Sequence, residues 1–277
     1  MDREVLVVIG VGGMGQEMAR RQGTGRTVFL ADFNKATMDT AADALRGDDY
    51  DIVAQHVDVS SRVSVTALAE AAAARGRVAQ VAHTAGLSPV QASASAILQV
   101  DLLGVALVLE EFGRVIAPGG AGVVIASMAG HLAQSLTPQE EHALAYAPAD
   151  ELLELPYVSA ARAANPGSAY SVAKRANLLR VQGASLTWGE RGARVNSISP
   201  CIISTPMGRQ ELAGDTGQHM RAMVDASGTG RLGTPNDIAD AAAFLLGPAS
   251  TFVTGTDLLV DGGVVAALRS GQLRSAA

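Results

Sequence analysis

Short apolar runs, rich in β-branched residues, recur along the chain and alternate with longer stretches of helical periodicity. The runs at 5–9, 27–31, 52–57, 78–83, 122–126, 193–199 and 257–260 are mostly apolar on successive positions. That is the pattern of parallel strands buried on both faces. Between them, 14–22, 35–45, 62–75, 97–117, 170–190 and 236–246 read as helices. The alternation predicts an α/β fold, a doubly wound parallel sheet of about seven strands flanked by helices, with right-handed crossovers. No linker, repeat or low-complexity tract interrupts it, so residues 1–277 read as one domain.

One stretch breaks the rhythm. Residues 131–169 hold Glu140, Glu141, Asp150, Glu151 and Glu154 against Arg162 alone, −4 of a formal −6 for the chain. Thr137-Pro138-Gln139-Glu140 is a helix start, with a capping hydroxyl, proline in the first turn and acids beyond it. Pro148, Pro156 and Pro166 punctuate the remainder. The stretch reads as an insertion of short helices. Its apolar positions Leu144, Leu152, Leu153, Leu155, Tyr157 and Val158 need a surface to bury against, and the cleft rim and neighbouring helices are the expected ones.

Composition narrows the function. With 4% aromatic residues and 30 glycines the chain suits close helix–sheet packing. Its acidic balance argues against a nucleic-acid partner. The apolar runs are too short to cross a bilayer and no N-terminal signal pattern precedes them. One cysteine, Cys201, cannot form an internal disulfide or a cysteine metal cluster, which points to a reducing, cytoplasmic setting. The histidines show no ligand spacing, so no metal is expected. Of 21 basic residues only Lys35 and Lys174 are lysines, which singles out both.

Three constellations carry chemistry. Gly10-Val11-Gly12-Gly13-Met14-Gly15 follows the first strand and opens the first helix. This G-x-G-x-x-G spacing allows a tight turn and close backbone approach to a pyrophosphate at the helix N-terminus, although glycines also cluster in ordinary turns. Asp32 ends the second strand, where a carboxylate can accept both ribose hydroxyls of an adenosine and repel a 2′-phosphate; Phe33 and Asn34 beside it bring no cation. The alternative for Asp32 is a loop acid or helix cap. Tyr170 and Lys174 are four apart on a helix and share a face, where an ammonium stabilises a phenolate. Alone, that pair is also what a surface helix would show.

Taken together, these residues resemble the short-chain dehydrogenase/reductase family. The glycine loop, Asp32, Asp58 after the third strand, Thr84-Ala85-Gly86 after the fourth, Ser127 after the fifth and Tyr170/Lys174 stand in the family's order. So do Arg194-Val195-Asn196, Pro200 with Thr205-Pro206, and Thr254-Gly255 followed by Asp261-Gly262-Gly263. The resemblance implies NAD(P)-dependent oxidation of a small alcohol or reduction of its ketone, and a homodimer or homotetramer whose interface often uses the two long helices. It implies that Tyr170 exchanges a proton with the substrate oxygen, that Lys174 lowers the tyrosine pKa and binds the nicotinamide ribose, and that Ser127 holds the substrate oxygen. It extends cofactor contacts to Gly10, Gly12, Gly13, Met14, Gly15, Asp32, Phe33, Asp58, Val59, Thr84, Ala85, Gly86, Pro200, Ile203 and Thr205. The division of labour is also chemical, since hydride leaves carbon only as the hydroxyl proton is removed.

Four positions depart from the family pattern. The glycine loop is one residue short. His83 precedes Thr84-Ala85-Gly86 where asparagine is common. Cys201 follows Pro200 where glycine is usual and reads as a small apolar filler. Asp101 replaces the asparagine of the family's catalytic tetrad; its backbone carbonyl can serve a relay water as well as an asparagine's, its side chain cannot imitate the amide. The expected function is an NAD-dependent dehydrogenase of a hydrophobic, alicyclic or steroid-like secondary alcohol, NAD(H) preferred over NADP(H). The alternatives are a 3-oxoacyl reductase, against which Asp32 counts, and a non-catalytic NAD(H) sensor, which would need no Ser–Tyr pair.

Overall fold

A computed structural model describes residues 3–271. Seven parallel strands form one sheet: β1 Glu4–Ile9, β2 Thr27–Asp32, β3 Asp51–His56, β4 Arg77–His83, β5 Ile116–Ile125, β6 Arg194–Pro200 and β7 Asp257–Val260. Their order is β3-β2-β1-β4-β5-β6-β7. On β1, Val8 pairs with Leu30 on one side and Ala82 on the other. The direction in which successive strands are added therefore reverses between β1 and β4, which opens a crevice at the carboxyl ends of these strands.

Successive side chains on a strand point to opposite faces. Val5, Val7 and Ile9 accordingly join one apolar layer, with the helices Arg62–Arg75, Gly104–Val115 and Pro166–Glu190. Leu6 and Val8 join the other, with the helices Gly13–Gln22, Lys35–Gly47 and Pro235–Leu246. Two covered faces explain why the strands are apolar at consecutive positions.

Some boundaries differ from the sequence reading. The helix expected over 97–117 starts as Ala94–Ile97, passes through a π-helical turn at Leu98–Leu103 and ends with Gly104–Val115. Ile116 already begins β5, because Ala117 precedes Pro118 and a residue before proline disfavours helix. The last long helix begins at Pro166, before Tyr170, where the Asn165 side chain accepts from Ser168 N at 2.8 Å and proline occupies the first turn.

Residues 131–169 fold largely into short helices, among them Pro138–Tyr146, the 3₁₀ turn Ala149–Glu154 and Pro156–Ala164. The first opens with a complete capping box between Thr137 and Glu140. Leu144, Ala149, Leu152 and Val158 are fully buried in the apolar layer of the two long helices. Charge fixes the same docking. Arg175 pairs with Glu141, Arg180 donates to Ala147 O and to Glu110, and Arg62 joins Glu110 and Glu111 at 2.9 Å and Asp150 at 3.3 Å. Gly183 permits the close approach, since a Cβ there would come within 2.7 Å of Ala145 O. These contacts are with the helices, one of the two surfaces expected; among the described residues, neither 131–169 nor Ser127 and Tyr170 line the large cleft.

This burial predicts that Leu144→Ala and Leu152→Ala each lower the unfolding free energy by about 2–4 kcal/mol in denaturant titrations. A merely solvated excursion would leave both variants within ~0.5 kcal/mol of wild type.

Candidate active site

The crevice is a cleft of about 660 Å³ running from the end of β2 across β1 and β4 to the segment after β6. Its floor is the glycine loop. Gly10 has φ +90°, and a Cβ there would sit 2.4 Å from Ala85 N, so glycine is required. A Cβ on Gly15 would strike Gly10 O at 2.0 Å, while the side of Gly12 is open, with nothing within 4 Å. Gly12 provides no capping side chain and the first helical turn carries no acid. The first-turn donors of Gly13–Gln22 are thus available to an anion in the cleft.

Asp32 is held at the end of β2 by Val11 N to Oδ2 and Asn34 N to Oδ1, both at 2.8 Å. Each oxygen keeps an acceptor site for a further partner. Phe33 is 70% exposed and leans on His56 at 5.5 Å between ring centres. Lys35 turns to Asp39, 2.5 Å away on its own helix. Asp58 accepts from Ser60 N and Oγ at 2.9 and 2.6 Å. Asp32 and Asp58 are the acids of the lining, which includes no lysine or arginine among the described residues. Thr84 Oγ1 donates to Gly10 O at 2.6 Å and ties the ends of β1 and β4 together.

Tyr170 and Lys174 come from the early turns of Pro166–Glu190. Lys174 is only 4% exposed. Its Nζ lies 3.1 Å from Asp101 Oδ2, 3.3 Å from Ile125 O and 5.4 Å from the centre of the Tyr170 ring. Asp101 sits in the π turn, fully buried, and accepts Leu87 N at 2.8 Å. Burial pushes its carboxyl upward against the pull of Lys174 and that N–H. For Lys174, burial works downward, but Asp101 and Tyr170 outweigh it and hold the ammonium. Burial raises the Tyr170 phenol; Lys174 and the neighbouring Ser127 hydroxyl oppose the rise, and the Asp101 and Glu211 carboxyls add to it. Ser127 Oγ also accepts Ala129 N at 3.2 Å. The turn after Ser127 is fastened by Met128 N to Pro200 O at 2.8 Å and by His131 Nε2 to Asp257 Oδ2 at 2.7 Å.

The structure thus brings Ser127, Tyr170, Lys174 and Asp101 to one place beside the cleft. Gly10, Gly12, Gly13, Met14, Asp32, Phe33, Asp58, Val59, Thr84, Ala85, Gly86 and Thr205 line the cleft itself. Gly15 packs behind the loop, and Pro200 ends β6 outside this lining. Ile203 lines a second, smaller cavity of about 180 Å³ together with Cys201, whose thiol burial pushes up to about 12. Thr37, Ser60 and Val100 line the cleft without having been singled out in the sequence, though Thr37 and Val100 lie close to Asp32 and Asp101.

Residues 3–139 match the family described as short chain dehydrogenase, and residues 139–265 the one described as Enoyl-(Acyl carrier protein) reductase. A relative from Alternaria brassicicola, "Short-chain dehydrogenase/reductase bsc3", is 42% identical over 97% of this chain and 98% of its own. The chain belongs to the short-chain dehydrogenase/reductase family. "D-threitol dehydrogenase" of Mycolicibacterium smegmatis is 28% identical over 95% of this chain and 93% of its own. The 3-alpha-hydroxysteroid dehydrogenase from Pseudomonas sp. B-0831, solved with NADH, shares the fold with a TM-score of 0.76 at 24% identity, covering 96% of this chain and 98% of its own. As a short-chain dehydrogenase/reductase the protein is an NAD(P)-dependent oxidoreductase acting on alcohols or ketones. The open face of Gly12, the free donors beside it and the oriented Asp32 suit a dinucleotide in the cleft.

His83 is the departure with the clearest physical consequence. It is fully buried, neither ring nitrogen has a hydrogen-bond partner, and burial plus the charge of Lys174 push its pKa down to about 3. The folded protein keeps it neutral while an unfolded histidine protonates near ~6.5. Its contribution to stability is therefore present above that value and lost as pH falls toward 3. His83→Asn should flatten the pH dependence of unfolding between pH 6.5 and 4 by up to one proton, ~1.4 kcal/mol per pH unit. Equal slopes in the two proteins would show that His83 does not titrate on unfolding.

Proposed function

We propose that this short-chain dehydrogenase/reductase is an NAD-dependent dehydrogenase that interconverts a hydrophobic secondary alcohol, alicyclic or steroid-like, and its ketone. The observation that carries the cofactor preference is the cleft lining, two carboxylates and no cation around the end of β2. A 2′-phosphate would meet Asp32 there with nothing to balance it, since Lys35 is taken by Asp39. Leu87, Val100, Pro206 and Met207 at the other end of the cleft favour an apolar substrate. We further assign the protein to the cytoplasm and to a homodimer or homotetramer. Residues 131–169, which we read as an insertion, cover much of the helix Pro166–Glu190 and so reshape any interface that uses it. Among the described residues, no helix is long and apolar enough to cross a membrane.

Tyr170 Oη takes the hydroxyl proton as the C–H hydride departs, and returns it in the reverse direction. Bound NAD supplies the hydride acceptor. Ser127 Oγ–H donates to the same substrate oxygen and steadies its developing negative charge. On this reading Lys174 stabilises the phenolate and binds the nicotinamide ribose. Asp101 holds Lys174 in position through their 3.1 Å ion pair.

Removing the phenolic oxygen tests the chemistry. Tyr170→Phe should lower kcat by about 10³-fold or more while NADH affinity, read by fluorescence, stays within a few-fold. Comparable turnover in the variant would overturn the assignment. For the cofactor, the wild type should favour NAD over NADP by about 10²-fold in kcat/KM, the equivalent of ~3 kcal/mol for an unbalanced phosphate. Asp32→Ser with Phe33→Arg should relax or reverse that ratio; equal use of the two cofactors by the wild type would refute it.

A further inference from the structure

His131 and Asp257 stand outside the cleft lining, yet they meet four residues after Ser127. The cluster begins in the sheet. Ser197 and Ser199 are two apart on β6, so both side chains leave the sheet on one face, and Ser197 pairs in register with Asp257 of the edge strand β7. Both serines are fully buried, and each gives its one proton to the same carboxylate oxygen, Asp257 Oδ1, at 2.6 and 3.0 Å. That leaves Oδ2 for His131 Nε2 at 2.7 Å. A carboxylate only accepts, so the imidazole carries a proton on Nε2 and donates it. The Asp257 side chain is 10% exposed, and a carboxylate so far out of water depends on its donors.

His131 belongs to the short helical turn Ala129–Leu132, which starts directly after Ser127 and Met128. Gly130 N donates to Ser127 O at 3.0 Å and His131 N to Met128 O at 2.9 Å, so residues 127–131 form one hydrogen-bonded unit. The same unit aims the serine: Ala129 N donates to Ser127 Oγ at 3.2 Å, which fixes one lone pair and limits where the hydroxyl proton can point. One side of the turn rests on the helix of Tyr170, where a Cβ on Gly130 would come within 2.8 Å of Lys174 O. The other side is tied from the edge of the sheet, by Asp257 on the His131 ring and by Arg269 Nη2 on His131 O at 3.2 Å. A helix of four residues has little stability of its own, so these outside ties set its place.

We propose that His131 and Asp257 are positioning residues for the reaction: the carboxylate on the edge strand holds the turn that sets the Ser127 hydroxyl against the substrate oxygen. This rests on the dehydrogenase reading, and neither residue takes part in proton transfer.

The test uses His131→Ala and His131→Gln, whose amide N–H can still donate to Asp257, each in the wild type and in Ser127→Ala. Turnover is measured with NAD and whichever of cyclohexanol and its 4-alkyl derivatives wild type oxidises best. NADH affinity is read by fluorescence, and amide exchange of residues 127–132 by mass spectrometry. His131→Ala should lower kcat about 10- to 100-fold, the scale of misplacing a catalytic group by about an ångström, with KM and NADH affinity within about threefold. Exchange in the turn should rise, and His131→Gln should recover kcat to within about threefold of wild type. Asp257→Ala should behave as His131→Ala does. In Ser127→Ala the loss should vanish, because the clasp then has no hydroxyl to aim. A merely structural contact would cost the same factor with and without that hydroxyl. Equal losses in the two backgrounds, unchanged kcat, unchanged exchange, or a glutamine variant no better than alanine overturns the proposal. If wild type oxidises none of these alcohols, the dehydrogenase reading falls and the clasp is judged by exchange in the turn alone: a rise keeps it, no change removes it.

Discussion

A lysine ammonium at 4% exposure sets the terms for everything around it. An unpaired charge at that depth would cost several kcal/mol or lose its proton. Lys174 keeps it because Asp101 lies 3.1 Å away and Ile125 O at 3.3 Å. To deliver Asp101 there, the helix entering from the β4 side widens into a π turn at Leu98–Leu103, a distortion that recurs at functional sites. The strand end opposite must be bare: a Cβ on Gly86 would sit 3.1 Å from Asp101 Oδ2 and 3.4 Å from Lys174 Nζ. Leu87 N donates to the other carboxylate oxygen, and His83, within the field of the ammonium, stays neutral. The ends of β4 and β5 and two helices are thus positioned by one buried charge.

That pairing limits how far Lys174 can acidify Tyr170. An asparagine in place of Asp101 would leave the ammonium unopposed, whereas the carboxylate works on the phenol in the opposite direction. The Ser127 hydroxyl works with Lys174 and also favours the phenolate. Burial and the two carboxyls raise the phenol and favour its protonated form, while the cation and the hydroxyl pull toward the phenolate. The phenol donates a proton to an oxygen and the phenolate takes one, so the two sets of neighbours pull toward opposite directions of proton transfer.

The sheet was legible because both its faces are covered: seven short runs of consecutive apolar residues are what strands buried on two sides require, and each corresponds to a strand. The glycine loop, Asp32 and the Tyr170/Lys174 pair could be placed because local spacing alone brings them to strand ends or to one helix face. The side-chain target of Asp101 could not be read, because it depends on a π turn that helical periodicity does not announce. Nor could the docking of the helix Pro206–Ala213 on the loop after β4, which Gln91 and Gln210 make across more than a hundred residues of sequence. The partner of residues 131–169 was open for the same reason. Apolar positions show that a segment must bury, and only tertiary contacts such as Arg180 to Ala147 O show where.

The helix Pro166–Glu190 holds the Tyr170/Lys174 pair in a fixed frame. Its start is fixed by Asn165 and Pro166, and its middle is clamped by residues 131–169 through Arg175, Arg180 and Gly183. Near its end Trp188 donates to Leu109 O at 3.0 Å and fills space that Gly113 and Gly122 leave free. Tyr170 and Lys174 therefore ride on one of the most constrained elements of the fold, as proton transfer over a hydrogen-bond distance requires. A change beneath Lys174, at Asp101 or Gly86, therefore disturbs the ammonium and the phenol at once.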